Sequence, residues 1–191
     1  MARFSIIGTG SMANAIGGLL AEGGNDVVYV PRNQVGAAAL GDVVVLAVPY
    51  SAVDGVLASL GDALAGKVVV DITNPVNMET FDSLLVPAGS SAAAQIQAKL
   101  PSSTVLKAFN TTFASTLTTK RVGDQATTVL IAGDDAAAKA ALAAAVEAGG
   151  VHALDAGSLA RAHELESIGF LQITLAAAST IAWTGGFALV R

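Results

Sequence analysis

Cysteine is absent from this chain, so neither a disulfide framework nor thiol chemistry is open to it. Histidine occurs only at His152 and His163, which argues against a structural zinc site and leaves no metal ligand set to assign. Charge is scarce too. Only 13% of residues are charged and the net charge is −5, so the sequence carries no basic footprint for nucleic acid. No signal-peptide pattern opens the chain, because the short apolar stretch from Phe4 to Ile7 runs straight into a glycine. A single long stretch, Ser167 to Val190, has no charge and is long enough to cross a bilayer. It also holds Gln172, Thr174, Ser179, Thr180, Thr184 and a Gly185-Gly186 pair, with no polybasic flank to orient it. The expectation is a core or subunit-interface helix over about 158–184, in a cytoplasmic homodimer without membrane contact. With 191 residues, one domain covering 1–191 is expected.

Small residues are abundant, with 20 glycines in the chain. The stretch RFSIIGTGSMANAIGGLLAEGG places Gly8, Gly10 and Ala13 on the spacing G-x-G-x-x-A. In so glycine-rich a chain the spacing alone is weak, and its context decides. A short apolar strand precedes Gly8, and Ser11 to Glu22 reads as a helix stopped by Gly23-Gly24. Asp26 to Val30 reads as a second strand. In this strand–turn–helix–strand unit Gly8 permits the tight turn and Gly10 leaves room for a pyrophosphate. Ala13 lets the helix pack closely on the strand. The helix N-terminus then supplies free N–H groups to the phosphates.

The residue after the second strand selects between dinucleotides. An NAD site usually has Asp or Glu there. Here the chain reads Val30-Pro31-Arg32-Asn33. An arginine matches a 2′-phosphate through charge-assisted hydrogen bonds, which predicts NADP(H).

Further strands are expected at Asp42–Val48, Lys67–Ile72, Thr104–Phe109, Thr127–Ala132 and Val151–Leu154, alternating with helices near Ala52–Leu64 and Ala92–Leu100 and an alanine-rich helix capped by Asp134 or Asp135. The fold class is α/β: a doubly wound, mostly parallel Rossmann-like sheet with a long C-terminal helix. Only Pro31 to Gly41 separates the second strand from the next, too little for a helix, a strand and another helix. The third strand of the first half is therefore missing, and the second strand lies at a sheet edge. Ligands in such sheets sit beyond the carboxyl ends of the strands. Those ends offer amides, hydroxyls and aromatics, and almost no acids or bases. Lys107 reads equally as a surface lysine or a site residue, and His163 as part of a solvated face or a subunit contact. A rim without proton-transfer groups suits hydride exchange with a flavin-like ring, which needs positioning and exclusion of water. It equally suits a sensor or regulatory module that binds NADP(H) without turnover.

Taken together, IIGTGSMANAIG, VPRN, VVLAVPY, VVVDITNP, VLKAFNTT and LDAGSLARAHELE resemble the deazaflavin-dependent NADP oxidoreductases. They also resemble the reductase domain of the six-transmembrane epithelial antigen metalloreductases. The likeness spans nearly the whole chain and extends to a short bacterial branch of dinucleotide-binding oxidoreductases ending in WTGGFA. It implies that Thr9, Gly10, Ser11 and Met12 bind pyrophosphate and that Arg32 and Asn33 bind the 2′-phosphate. It further implies that Val48, Pro49 and Asn74 line the nicotinamide ribose and ring, with Asn110 as a positioning group near the hydride-transfer site. The implied partner is a small-molecule acceptor, a flavin or deazaflavin. Pro31 stands where the family has a serine, which removes one phosphate donor.

Overall fold

The computed structural model describes residues 2–190. Its strands are β1 (Arg3–Ile7), β2 (Asp26–Val30), β3 (Val43–Leu46), β4 (Val68–Asp71), β5 (Thr104–Lys107), the short hairpin β6 (Arg121–Val122) and β7 (Gln125–Ala126), β8 (Thr128–Gly133) and β9 (His152–Gly157). The helices are α1 (Ser11–Glu22), α2 (Val53–Leu60), α3 (Ala92–Lys99), α4 (Ala114–Thr119), α5 (Ala136–Ala148) and α6 (Ala162–Ala177). Seven strands form one sheet in the order β2-β1-β3-β4-β5-β8-β9. The first five are parallel, β8 is antiparallel to β5, and β9 is parallel to β8.

Alternation along each strand sends neighbours to opposite faces. Ile6, Val45, Val70 and Leu106 pack with Ile16 and Leu20 of α1 and with Leu142 and Val146 of α5. Ile7, Val44, Leu46, Val69 and Val105 pack with Val56 and Leu57 of α2 and with Ile96 of α3. Both faces of the sheet are therefore covered, and its strands read as continuous apolar runs. Burial of each such side chain contributes roughly 1.5–3 kcal/mol. As expected, β2 lies at the sheet edge. A six-residue 3₁₀ turn, Arg32–Ala37, takes the place of the missing strand and its helices.

Among the differences from expectation, which include the unforeseen β6–β7 hairpin, an α2 that ends at Leu60 and a β9 that runs on to Gly157, three have a clear local cause. Strand β5 ends at Lys107 because Phe109 turns to φ +63° and the Asn110 amide bonds to the Ala108 carbonyl. Helix α4 carries serine and threonines with weak helix preference, and the Thr116 hydroxyl, accepting from the Phe113 N–H, anchors its start. The terminal helix stops at Ala177, short of the expected 184. Ser179 enters the left-handed region at φ +58°, the Thr180 amide donates to the Leu175 carbonyl, and the Ser179 amide donates to Ala176. These are the two bonds of a Schellman stop. No helix among the described residues is long and apolar enough to cross a membrane.

The reversal at β8 has a directional effect. Strand β9 runs opposite to β1–β5, so it ends at their amino edge. Helix α6 therefore climbs alongside β5 towards the carboxyl rim. Its contacts rise in order: Glu166 meets Lys107, Gly169 abuts Asn74 and Asn110, and Gln172 reaches Thr111.

Candidate active site

The glycine turn stands at the carboxyl end of β1. Gly8 has φ +125° and its amide donates to Val30, while a β-carbon there would lie 2.3 Å from the Ala47 carbonyl oxygen. Any other residue would break the contact between the ends of β1 and β3. Gly10 caps α1 with no side-chain acceptor, so the first-turn amides remain open to a ligand. A β-carbon on Gly10 would meet nothing within 4 Å, which leaves a free cradle in front of those amides. Ala13 is fully buried against the sheet. Thr9 and Ser11 are exposed and Met12 is half-buried. These features fit a pyrophosphate: free donors, open space and the positive end of a helix.

Arg32 and Asn33 begin the 3₁₀ turn beyond β2, and both are exposed. Arg32 borders a recess of about 260 Å³ formed with Val35, Ala52, Gly55, Val56 and Ser59. Its guanidinium takes part in no ion pair among the described residues. Val48 and Pro49 follow β3. Val48 packs into the α2 side of the core, and neither residue borders the larger cavity described next.

That cavity, about 570 Å³, opens between the glycine turn, the ends of β4 and β5, and α4. Ser11, Met12, Asn74 and Asn110, four of the residues singled out in the sequence, meet there. Ile72, Phe109, Phe113 and Ile173 supply the apolar wall. Asn74 donates from Nδ2 to the Asn110 carbonyl at 2.8 Å, and Asn110 donates from Nδ2 to Asn74 Oδ1 at 2.9 Å and to the Leu165 carbonyl at 2.8 Å. Asn110 Oδ1 is buried without a hydrogen-bond partner among the described residues. Gly169 on α6 makes the pair possible, because a β-carbon there would lie 2.2 Å from Asn74 Oδ1.

Beneath the rim lies a buried ionic cluster. Lys107 Nζ donates to Asp71 Oδ2 at 2.7 Å, to Glu166 Oε1 at 2.8 Å and to the Thr73 carbonyl at 2.6 Å. Lys107 and Asp71 are fully buried, and so is Glu166. This settles Lys107: it is not a surface lysine, and it does not line the cavity. Glu166 also accepts from the amides of Ala92 and Ala93 at the start of α3. Burial pushes the Glu166 carboxyl above its ordinary value of 4.5, against the opposing pull of Lys107 and the Ala92 amide. The cluster ties β4, β5, α3 and α6 together directly below Asn74. Asp71 and Glu166 gave no sign of this role in the sequence, where each is one acid in an apolar or a charged run.

Sequence reasoning also missed the closing segment. After the Schellman stop the chain folds back over the rim, and Trp183 and Thr184 border the cavity. The Trp183 and Phe113 rings lie 4.9 Å apart at 53°, and the Ser115 hydroxyl donates to the Trp183 carbonyl. Gln172, itself buried, accepts from the Phe187 amide at 2.9 Å and donates to the Thr111 carbonyl at 3.3 Å. A lone glutamine in an apolar run was the available signal. His163 is only half-buried and bonds through Nδ1 to the Ser90 carbonyl at 3.1 Å, away from the cavity. His152 is exposed.

Residues 29–75 match the family described as NADP oxidoreductase, coenzyme F420-dependent. The chain is 33% identical over 186 residues to the metalloreductase STEAP3 of Rattus norvegicus, covering 87% of this chain and 36% of that protein. It is 32% identical over 142 residues to the F420-dependent NADP reductase of Methanocaldococcus jannaschii, covering 73% of this chain and 64% of the other. The chain is a relative of these oxidoreductases. It thus spans about a third and just under two thirds of the lengths of these two relatives. The crystal structure of a candidate F420-dependent NADP-reductase from Arthrobacter sp. FB24 superimposes with a TM-score of 0.84 at 27% identity, over 100% of both chains. The kinship read from six short motifs therefore extends to the whole fold, closing segment included.

Proposed function

We propose that this chain is an NADP(H)-dependent oxidoreductase that exchanges hydride between nicotinamide and a flavin or deazaflavin-type acceptor. The observation that carries the reading is the shared rim. The open amides of α1, the Asn74–Asn110 pair and the 570 Å³ cavity stand side by side along the carboxyl ends of the strands. Bound NADPH supplies a hydride. Thr9, Gly10, Ser11 and Met12 hold the pyrophosphate, and Arg32 with Asn33 takes the 2′-phosphate. Val48, Pro49 and Asn74 flank the nicotinamide half. Asn110 positions the ring from the cavity wall. The closing segment excludes water. No acid or base borders the cavity, which fits a transfer that depends on positioning rather than on proton donation by a side chain.

The same lack of acids and bases favours a second reading, an NADP(H)-binding sensor without turnover. NADPH oxidation measured with flavin, deazaflavin and ferric acceptors separates the two. Tight NADPH binding with no oxidation by any acceptor supports the sensor and overturns the enzyme. We also propose a cytoplasmic homodimer. Ile168, Leu171, Phe187 and Leu189 are exposed apolar side chains on α6 and the closing segment. Sedimentation as a monodisperse monomer contradicts the dimer.

A further inference from the structure

We infer that Lys107 and Glu166 are positioning residues, which act on the reaction by setting the places of Asn74 and Asn110. Their role in turnover rests on the oxidoreductase reading, but their hold on the two carboxamides does not. The ladder between β4 and β5 ends where Asp71 faces Lys107. Asn74 and Asn110 each lie three residues beyond that pair, where both chains have left the sheet. Strand pairing therefore does not fix the distance between them.

The buried cluster reaches them from both sides. On the β4 side the Thr73 amide donates to Asp71 Oδ1 at 2.9 Å, and the Thr73 carbonyl accepts from Lys107 Nζ at 2.6 Å. Both backbone polar groups of the residue before Asn74 are thus held by charged side chains. On the α6 side Glu166 Oε1 accepts from the same Nζ at 2.8 Å, and the carbonyl of its neighbour Leu165 accepts from Asn110 Nδ2 at 2.8 Å. The Ala92 and Ala93 amides hold the Glu166 carboxylate in turn. One ammonium therefore fixes the peptide that carries Asn74 and the turn of α6 on which Asn110 rests. Its three donors go to Asp71, Thr73 and Glu166, so none is left for a ligand. Lys107 and Glu166 are fully buried and neither borders the cavity, which makes their action indirect. Burying such groups costs solvation that apolar side chains of the same volume avoid. What charged hydrogen bonds add is direction, and here it is spent on the peptides beside the two carboxamides.

Glu166→Met tests this, because it keeps the volume, removes the carboxylate and leaves Lys107 and Asp71 as a balanced pair. At saturating NADPH its kcat is expected to fall roughly ten- to a hundredfold. The affinity for 2′,5′-ADP, a probe of the adenosine end alone, is expected to stay at the wild-type value. Glu166→Gln keeps an acceptor for Lys107 and is expected to recover most of the rate. Glu166→Leu is the second variant, with the expectations of Glu166→Met. Leu60→Ala, a buried truncation at the end of α2, is the destabilised control and is expected to keep kcat. In the ¹⁵N-labelled chain without cofactor, the side-chain amide resonances of Asn74 and Asn110 are expected to shift and broaden in Glu166→Met and to return in Glu166→Gln. The inference is overturned by an unchanged kcat in Glu166→Met, by an equal loss in Leu60→Ala or Glu166→Gln, or by carboxamide resonances that stay in place. A wild-type chain that binds NADPH and reduces no acceptor sinks the oxidoreductase reading, while the resonances still decide whether the cluster holds the pair.

Discussion

Asn74 and Asn110 hold each other by two reciprocal hydrogen bonds, of 2.8 and 2.9 Å, across the carboxyl ends of β4 and β5. The pair closes only because Gly169 on α6 has no side chain. Gly169→Ala is therefore expected to displace Asn74 and loosen the positioning of the ring. Misplacement by about 1 Å costs on the order of a hundredfold in rate. Comparison of kcat with the NADPH dissociation constant checks this. The rate is expected to fall while binding of the distant adenosine end changes little. An unaltered kcat removes the Asn pair from the positioning role.

Gly10 has an ordinary backbone conformation, φ −76°, and open space where a β-carbon would be. Gly10→Val is thus expected to fold normally and to lose dinucleotide binding, because the new side chain fills the cradle in front of the α1 amides. Thermal melting and NADPH titration together decide it. A folded variant with wild-type affinity contradicts the phosphate turn.

Arg32 stands free beside its recess. A charged hydrogen bond is worth roughly 1.5–3 kcal/mol, so Arg32→Ala is expected to weaken NADPH binding by roughly ten- to a hundredfold. Pro31 cannot share the phosphate, which favours the lower end. NADH, lacking the 2′-phosphate, is expected to bind as before. Equal weakening of both cofactors would make Arg32 a general anchor.

The buried cluster predicts a difference between two substitutions. Lys107→Met leaves Asp71 and Glu166 buried with no cation and is expected to cost about 3–5 kcal/mol in urea unfolding. Glu166→Gln leaves the Lys107–Asp71 pair intact and is expected to cost less. Its pH signature is separate. The folded Glu166 carboxyl is raised above 4.5, so it binds its proton more readily in the folded chain. That stabilisation is complete below 4.5 and is lost as pH rises through the folded value. Across that interval the Tm of Glu166→Gln is expected to fall less than that of the wild type. Parallel curves would mean that Glu166 does not titrate there.

The first half of the molecule was legible because its signals are local. Gly8, Gly10 and Ala13 lie within one turn, and Arg32 follows its strand directly, so short spacing and strand position suffice. The missing strand could be counted from the Pro31–Gly41 interval. The second half depends on contacts between residues far apart. Nothing near Lys107 reveals that Glu166 will meet it, since the meeting requires β8 to reverse and α6 to climb the sheet. Trp183 was assigned to a helix because the run from Ser167 is apolar. The left-handed turn at Ser179 lies in a residue type that seldom announces one, glycine being the usual marker. Nothing around Gly169 in the sequence marks it, although Asn74 depends on its bareness.

The cavity is walled at one side by the first turn of α1 and at the other by the segment after α6. Contacts between such distant parts of a chain are entropically late to form. A ligand in the cavity therefore acts as a clasp between two segments that lie near opposite ends of the chain. Interactions absent from the folding transition state act on the unfolding rate. A bound ring or dinucleotide is thus expected to prolong the lifetime of the folded chain while leaving its rate of formation unaltered.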